Sequence, residues 1–233
     1  MPSVETPREE EKKKKKRGGI LLILLSVVLI VGGISLGVYS LVPHGGVPSG
    51  AITAINGAVV IPDDPSATSS AYIAAAQMVA DDGGLGFRIP AVDLDVPLGS
   101  INSVNGVMNP PNFSSVFWIR NLGVSVDNAA KGTVYIVAHS LRYGTGKPGG
   151  DNAPGNFVQS QEKITLKAGD PIEVDGLTYS FVEAQVIPQN ELGSHTDLWD
   201  KTVTGRLIFV TCLEKNDHTP PTDNIVIIGK LVS

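Results

Sequence analysis

From residue 87 to residue 231 the chain is a succession of short apolar runs between turn signals, with Gly and Pro marking most of the joins. The runs fall at 87–89, 92–98, 117–119, 133–138, 163–166, 171–174, 179–187, 207–211 and 225–231. Runs this short, rich in β-branched and aromatic residues and joined by turn formers, read as strands, and many of them in close succession read as a closed β-barrel. Helical options are brief, such as 153–160, so the predicted class is all-β with short helices.

The chain before residue 87 follows another pattern. Residues 18–42 are uncharged and almost continuously apolar, and about 20 such residues cross a bilayer core. Residues 12–17 are five Lys and one Arg. Basic residues stay cytoplasmic, which predicts one N-terminal transmembrane helix at 18–42, a cytoplasmic basic tail at 1–17, and an extracellular remainder. A cleaved signal peptide is the rival, but its apolar core is about 7–15 residues, shorter than this run. Residues 43–86, punctuated by Pro, Gly, Ser, Thr and Asp, read as an extracellular tether containing His44, an ordinary linker residue. Within it, 70–80 is rich in helix formers behind a Ser70 cap, predicting a short helix that docks on the domain or covers its cleft. The β domain then occupies 87–233.

The net charge of −5 hides an asymmetry: residues 1–17 hold seven Lys/Arg and four Glu, leaving 11 basic and 19 acidic residues beyond them. An acidic body lacks the clustered cations that phosphate binding needs, which excludes nucleic acid as the main partner. The single cysteine excludes an intramolecular disulfide, so the core alone holds the fold.

That cysteine ends the run Arg206-Leu207-Ile208-Phe209-Val210-Thr211-Cys212, and His139 ends Thr133-Val134-Tyr135-Ile136-Val137-Ala138 before a loop with five glycines by Gly155. Taken singly, Cys212 reads as a small buried hydrophobe and His139 as a hydrogen-bonded structural histidine. Two strands each delivering half of a thiol-imidazole pair point instead to nucleophilic catalysis, in which a nearby imidazolium favours thiolate and donates a proton at neutral pH. His195 and His218 belong to no motif, and with His139 they lack metal-ligand spacing, so neither metal nor cofactor is expected.

These residues resemble the sortase family over most of 87–231. The pieces that carry the likeness come in family order: Phe87-Arg88-Ile89-Pro90, the pair Phe117-Trp118, Val137-Ala138-His139-Ser140, Asn156-Phe157, Lys167-Ala168-Gly169-Asp170-Pro171-Ile172-Glu173-Val174, and Phe209-Val210-Thr211-Cys212. The resemblance implies a closed eight-stranded sortase barrel and a cysteine transpeptidase with Cys212 as nucleophile and His139 as its partner. It would cleave a Leu-Pro-x-Thr-Gly-like sorting signal through a thioacyl intermediate. The implied partners are sorting-signal-bearing surface proteins and an amine acceptor on a peptidoglycan precursor or pilin lysine. A membrane-anchored form from a high-GC Gram-positive bacterium, close to the class E/F variants of actinobacteria, fits the anchor.

One departure stands out. The family carries an arginine on the strand after the Cys loop, and no arginine follows Cys212 here. Asn224 occupies roughly that position, an amide that donates to an oxyanion but brings no charge. Arg142 and Arg120 are the other candidates, whereas Arg206, six residues before Cys212, lies about 20 Å back along its strand. His218 is a further candidate for substrate contact. The missing cation suggests a low-activity sortase-like binding domain as one alternative; a secreted cysteine hydrolase, which shares the first half-reaction and lets water take the acyl group, is the other.

Overall fold

The structure is a computed structural model, and it describes residues 52–53, 59–60, 70–79, 83–142 and 153–232. The basic tail, the apolar run 18–42 and most of the tether lie outside these residues. Among the described residues no helix is long and apolar enough to cross a membrane. Residues Ser49–Ser233 form a compact unit of their own.

Nine strands make the main sheet: β1 (Phe87–Ile89), β2 (Leu94–Val96), β3 (Leu98–Ile101), β4 (Val116–Gly123), β5 (Thr133–Val137), β6 (Pro171–Val174), β7 (Leu177–Pro188), β8 (Arg206–Cys212) and β9 (Asp223–Leu231). They are ordered β2-β1-β6-β7-β9-β8-β5-β4-β3. The first and last strands of that order are consecutive in the chain and separated only by Pro97, so the sheet must curl until its ends approach, giving a nearly closed barrel. This corrects the eight-stranded expectation, with a physical cause. The apolar run 92–98 contains Pro97, which cannot donate to a ladder, and it splits into two strands that join opposite ends of the sheet. The run at 163–166 joins no barrel strand; Lys163–Ile164 pairs with Gln159–Ser160 in a small hairpin.

The sheet carries apolar cover on both faces. All of β5 and residues 207–211 of β8 are buried, as continuous apolar runs of a parallel pair should be. Val134, Ile136, Leu207, Phe209, Ile225 and Ile227 point into one core. The alternate residues Tyr135, Val137, Ile208, Val210 and Val226 belong to a second core on the opposite face.

The helix expected at 70–80 is present as α1 (Ser70–Ala76), with Ala76 fully buried in the second core and Tyr72 and Met78 packed against it. The chain after it lies along β3: Val79 and Ser100 exchange backbone hydrogen bonds of 2.8 Å each, and Asn102 N donates to Ala76 O at 2.7 Å. Segment 70–79 is thus part of the folded domain. A truncation starting at residue 83 is expected to be about 3 kcal/mol less stable than one starting at residue 70, from lost burial and backbone bonds. In thermal melts this is a difference of about 6–12 °C. Equal melting temperatures would mean the segment only rests on the barrel.

Candidate active site

β5 and β8 run parallel with Val137 beside Val210, and Ala138 N donates to Val210 O at 3.1 Å. Carrying that register two residues further sets His139 beside Cys212. On the other side β9 runs antiparallel, with Asn224 directly opposite Cys212. Neighbouring strands lie about 4.8 Å apart and alternate residues share a face. His139, Cys212 and Asn224 therefore stand side by side on the face of the second core, and all three line one cavity of about 590 Å³. Leu122, Val137, Leu192, Trp199 and Val210 make its apolar lining.

One wall comes from the loop between β3 and β4. Val104 and Val107 pair across a two-residue turn, with Asn105 at φ 53° and Gly106 at φ 81°. Positive φ at both central positions is what Asn-Gly supplies in a tight hairpin. Further along, the carbonyl of Pro110 accepts a hydrogen bond from His139 Nε2 at 2.7 Å, and Phe113 stacks on the imidazole at 4.4 Å between ring centres, 22° between planes. A carbonyl oxygen only accepts, so Nε2 carries the proton in this bond and Nδ1 is the basic nitrogen of the neutral ring.

The Cys212 carbonyl accepts from Gln159 Nε2 at 2.9 Å and from Ser140 Oγ at 3.0 Å. Gln159 also accepts from Glu214 N at 2.8 Å. The single Ser140 hydroxyl proton is shared between the Cys212 carbonyl and the Glu214 carboxylate, to which Ser140 makes a short hydrogen bond. Gly155 N donates to His139 O at 2.9 Å. A Cβ at Gly155 would stand 1.9 Å from Thr211 Oγ1 and 2.8 Å from His139 O, so only glycine lets the two strand ends come this close. Above the thiol, Gln189 Nε2 donates to Cys212 Sγ at 3.6 Å.

Burial pushes the Cys212 thiol up to about 12, the Glu214 carboxylate pushes in the same direction, and the Gln189 hydrogen bond partly opposes them. Burial also raises Glu214, against its Ser140 hydrogen bond and the charges of Arg142 and His218. Burial and the Glu214 carboxylate both favour the neutral thiol over the thiolate at neutral pH. This differs from the thiolate expected of a Cys-His pair, because the thiol is desolvated and Glu214 adds negative charge beside it. Glu214→Gln removes that charge, so the thiol must titrate lower and react faster below its pKa. Alkylation by iodoacetamide at pH 8.5 is expected to speed up about three- to tenfold, a unit of pKa being tenfold in thiolate. An unchanged rate would show that burial alone sets the thiol.

The arginine candidates go elsewhere. Arg120, on β4, donates to Ser100 Oγ at 2.7 Å and, in a short bond, to Gln77 O, tying segment 70–79 to the sheet. Arg142 lines a separate cavity of about 190 Å³ with Glu214, Gln159 and His218, and His218 Nδ1 donates to the Arg142 carbonyl at 2.8 Å. Of the oxyanion candidates Asn224 lies in the Cys212 cavity and Arg120 and Arg142 do not, and among the described residues its lining holds no Lys or Arg. His195 does not line that cavity either. Sequence reasoning missed Gln189, Gln159, Pro110 and Phe113. Asn105-Gly106 and Pro110-Pro111 were signals of a tight, stiff loop, whereas nothing local marks the two glutamines.

Fold and site together define a mostly-β barrel that presents a thiol, an imidazole and carboxamides in one cavity. No family model and no curated protein matches the sequence. Among solved structures the chain is similar to sortase A of Listeria monocytogenes, with 18% identity, covering 65% of this chain and 89% of that one at a TM-score of 0.44. It is similar also to a lid mutant of Corynebacterium diphtheriae sortase A, with 15% identity, 71% and 81% coverage and a TM-score of 0.46. A sortase D5 transpeptidase of Clostridium perfringens gives 15% identity, 64% and 79% coverage and a TM-score of 0.42.

Proposed function

We propose that this chain is a sortase-type cysteine transpeptidase that works without a cationic oxyanion donor. The observation that carries the reading is that Cys212 and Asn224, paired across β8 and β9, and His139, two residues past the end of β5 beside β8, line one cavity. The order of family-like motifs along the sequence supports it independently.

A neutral thiol makes the first step concerted. As Sγ attacks the scissile carbonyl carbon, its proton passes to Nδ1 of His139, and the imidazolium then gives that proton to the departing amine. A thioester remains on Cys212. An acceptor amine attacks it, loses a proton to His139, and releases Sγ, which recovers the proton. Asn224, and Gln189 if it turns from sulfur to oxygen, are the amide donors for the tetrahedral oxyanion. The apolar lining around Leu122, Leu192 and Trp199 suits an aliphatic side chain of a Leu-Pro-x-Thr-Gly-like signal.

The same reading holds the chain to the membrane through residues 18–42, with the barrel outside, sorting-signal proteins as substrates and a peptidoglycan or pilin amine as acceptor. The class E/F-like assignment belongs to this proposal. Mass spectrometry after incubation with a sorting-signal peptide tests it: a thioacyl adduct on Cys212 and a new amide with added amine are expected. Peptide hydrolysis that an amine never diverts would make the chain a hydrolase, and no adduct would remove the enzymatic reading.

A further inference from the structure

We propose that Tyr72, on the helix that precedes the barrel, is a positioning residue for His139. The proposal rests on His139 being the acid-base partner of Cys212.

The connection is short and stiff. Tyr72 Oη accepts a hydrogen bond from Asn109 N at 3.0 Å, and the next residue, Pro110, supplies the carbonyl that takes His139 Nε2 at 2.7 Å. Only one peptide link separates the two bonded residues. Pro110 and Pro111 each have φ held by the ring, and a residue before proline is itself confined to extended backbone. Asn109 to Pro111 therefore moves as a unit, so an anchor on the Asn109 amide also places the Pro110 carbonyl.

The anchor is well founded. Tyr72 sits half-buried against the second core, one turn from the fully buried Ala76. The chain that follows is held to β3 by the Ala76, Val79 and Gln77 bonds and by Arg120. A path of hydrogen bonds thus runs from the barrel edge through α1 to the imidazole. Its chemical consequence is specific, because the Pro110 carbonyl selects the tautomer that protonates Nε2 and leaves Nδ1 as the base. A slack carbonyl lets the other tautomer in, and with it a ring unable to take the thiol proton at Nδ1. The segment that ties the domain to its tether is in this way part of the catalytic apparatus.

The test compares the full chain with Tyr72→Phe, which keeps the ring and its packing and removes the hydroxyl that accepts from Asn109 N. With ¹⁵N-labelled histidine, His139→Gln assigns the His139 ring signals. At a pH of about 9, where an ordinary imidazole is neutral, the parent is expected to hold its proton on Nε2. In Tyr72→Phe the ratio of Nε2–H to Nδ1–H is expected to fall about three- to tenfold, the effect of one ordinary hydrogen bond. kcat for peptide transfer should fall by a similar factor with KM within about twofold, and thermal melting should move by no more than a few degrees. An unchanged tautomer ratio overturns the proposal whatever the activity, as does a loss of activity that only follows a loss of fold. If the parent transfers no peptide, the functional reading fails, while the ring signals still decide whether Tyr72 orders His139.

Discussion

Cys212→Ala should form no thioacyl adduct and transfer no peptide, a loss on the order of 10⁴-fold or more, as for deletion of a nucleophile elsewhere. The fold should survive, because the Cys212 carbonyl bonds to Gln159 and Ser140 and its strand pairing with β9 are made by backbone. What is lost is one sulfur and the weak contact from Gln189. His139→Ala should be comparably inactive, since a thiol pushed up to about 12 has almost no thiolate of its own and needs a base at the moment of attack. It should also cost about 1–2 kcal/mol of stability by stranding the Pro110 carbonyl and removing the Phe113 stack. Peptide mass spectrometry reads the first expectation and urea denaturation the second. Parent-level processing by Cys212→Ala would end the transpeptidase reading.

Asn224→Ala is expected to lower kcat by about 10²–10³-fold with little change in KM, the scale of removing one donor to a tetrahedral oxyanion. Among the described residues the cavity lining contains no Lys or Arg to compensate. Gln189→Ala, which removes the other carboxamide at the sulfur, should cost less alone, and the pair should lose more than either single change. Arg120→Ala should act differently: its guanidinium bridges Ser100 and Gln77, so the melting temperature should fall while kcat of the folded fraction falls by no more than in Tyr72→Phe. Steady-state kinetics beside thermal melts separate the two patterns. Full activity in Asn224→Ala together with a kcat loss in Arg142→Ala would reassign the oxyanion donor to the neighbouring cavity.

The strands could be read one at a time because strand character is written locally, in β-branched and aromatic runs bounded by Gly and Pro. Even the departure from eight strands has a local mark in Pro97, which divides what hydrophobicity alone reads as one strand. The helix at 70–76 was equally legible from its composition. Its docking on β3 was not, because Ala76 and Val79 meet Asn102 and Ser100 only through folding.

The site divides in the same way. That His139 and Cys212 each stand at the end of an apolar strand is a property of the sequence, and so is the absence of an arginine after Cys212. Only the tertiary structure decided that those strands are parallel neighbours in matching register with Asn224 across from Cys212. It alone turned Arg120 into a strut, put Arg142 beside a second cavity, and brought Pro110, Phe113 and Gln189 to the pair. The protonation of the thiol also lay beyond the sequence. It depends on desolvation and on the Glu214 charge, which act through space and are set by what the fold packs around the sulfur rather than by its neighbours in the chain.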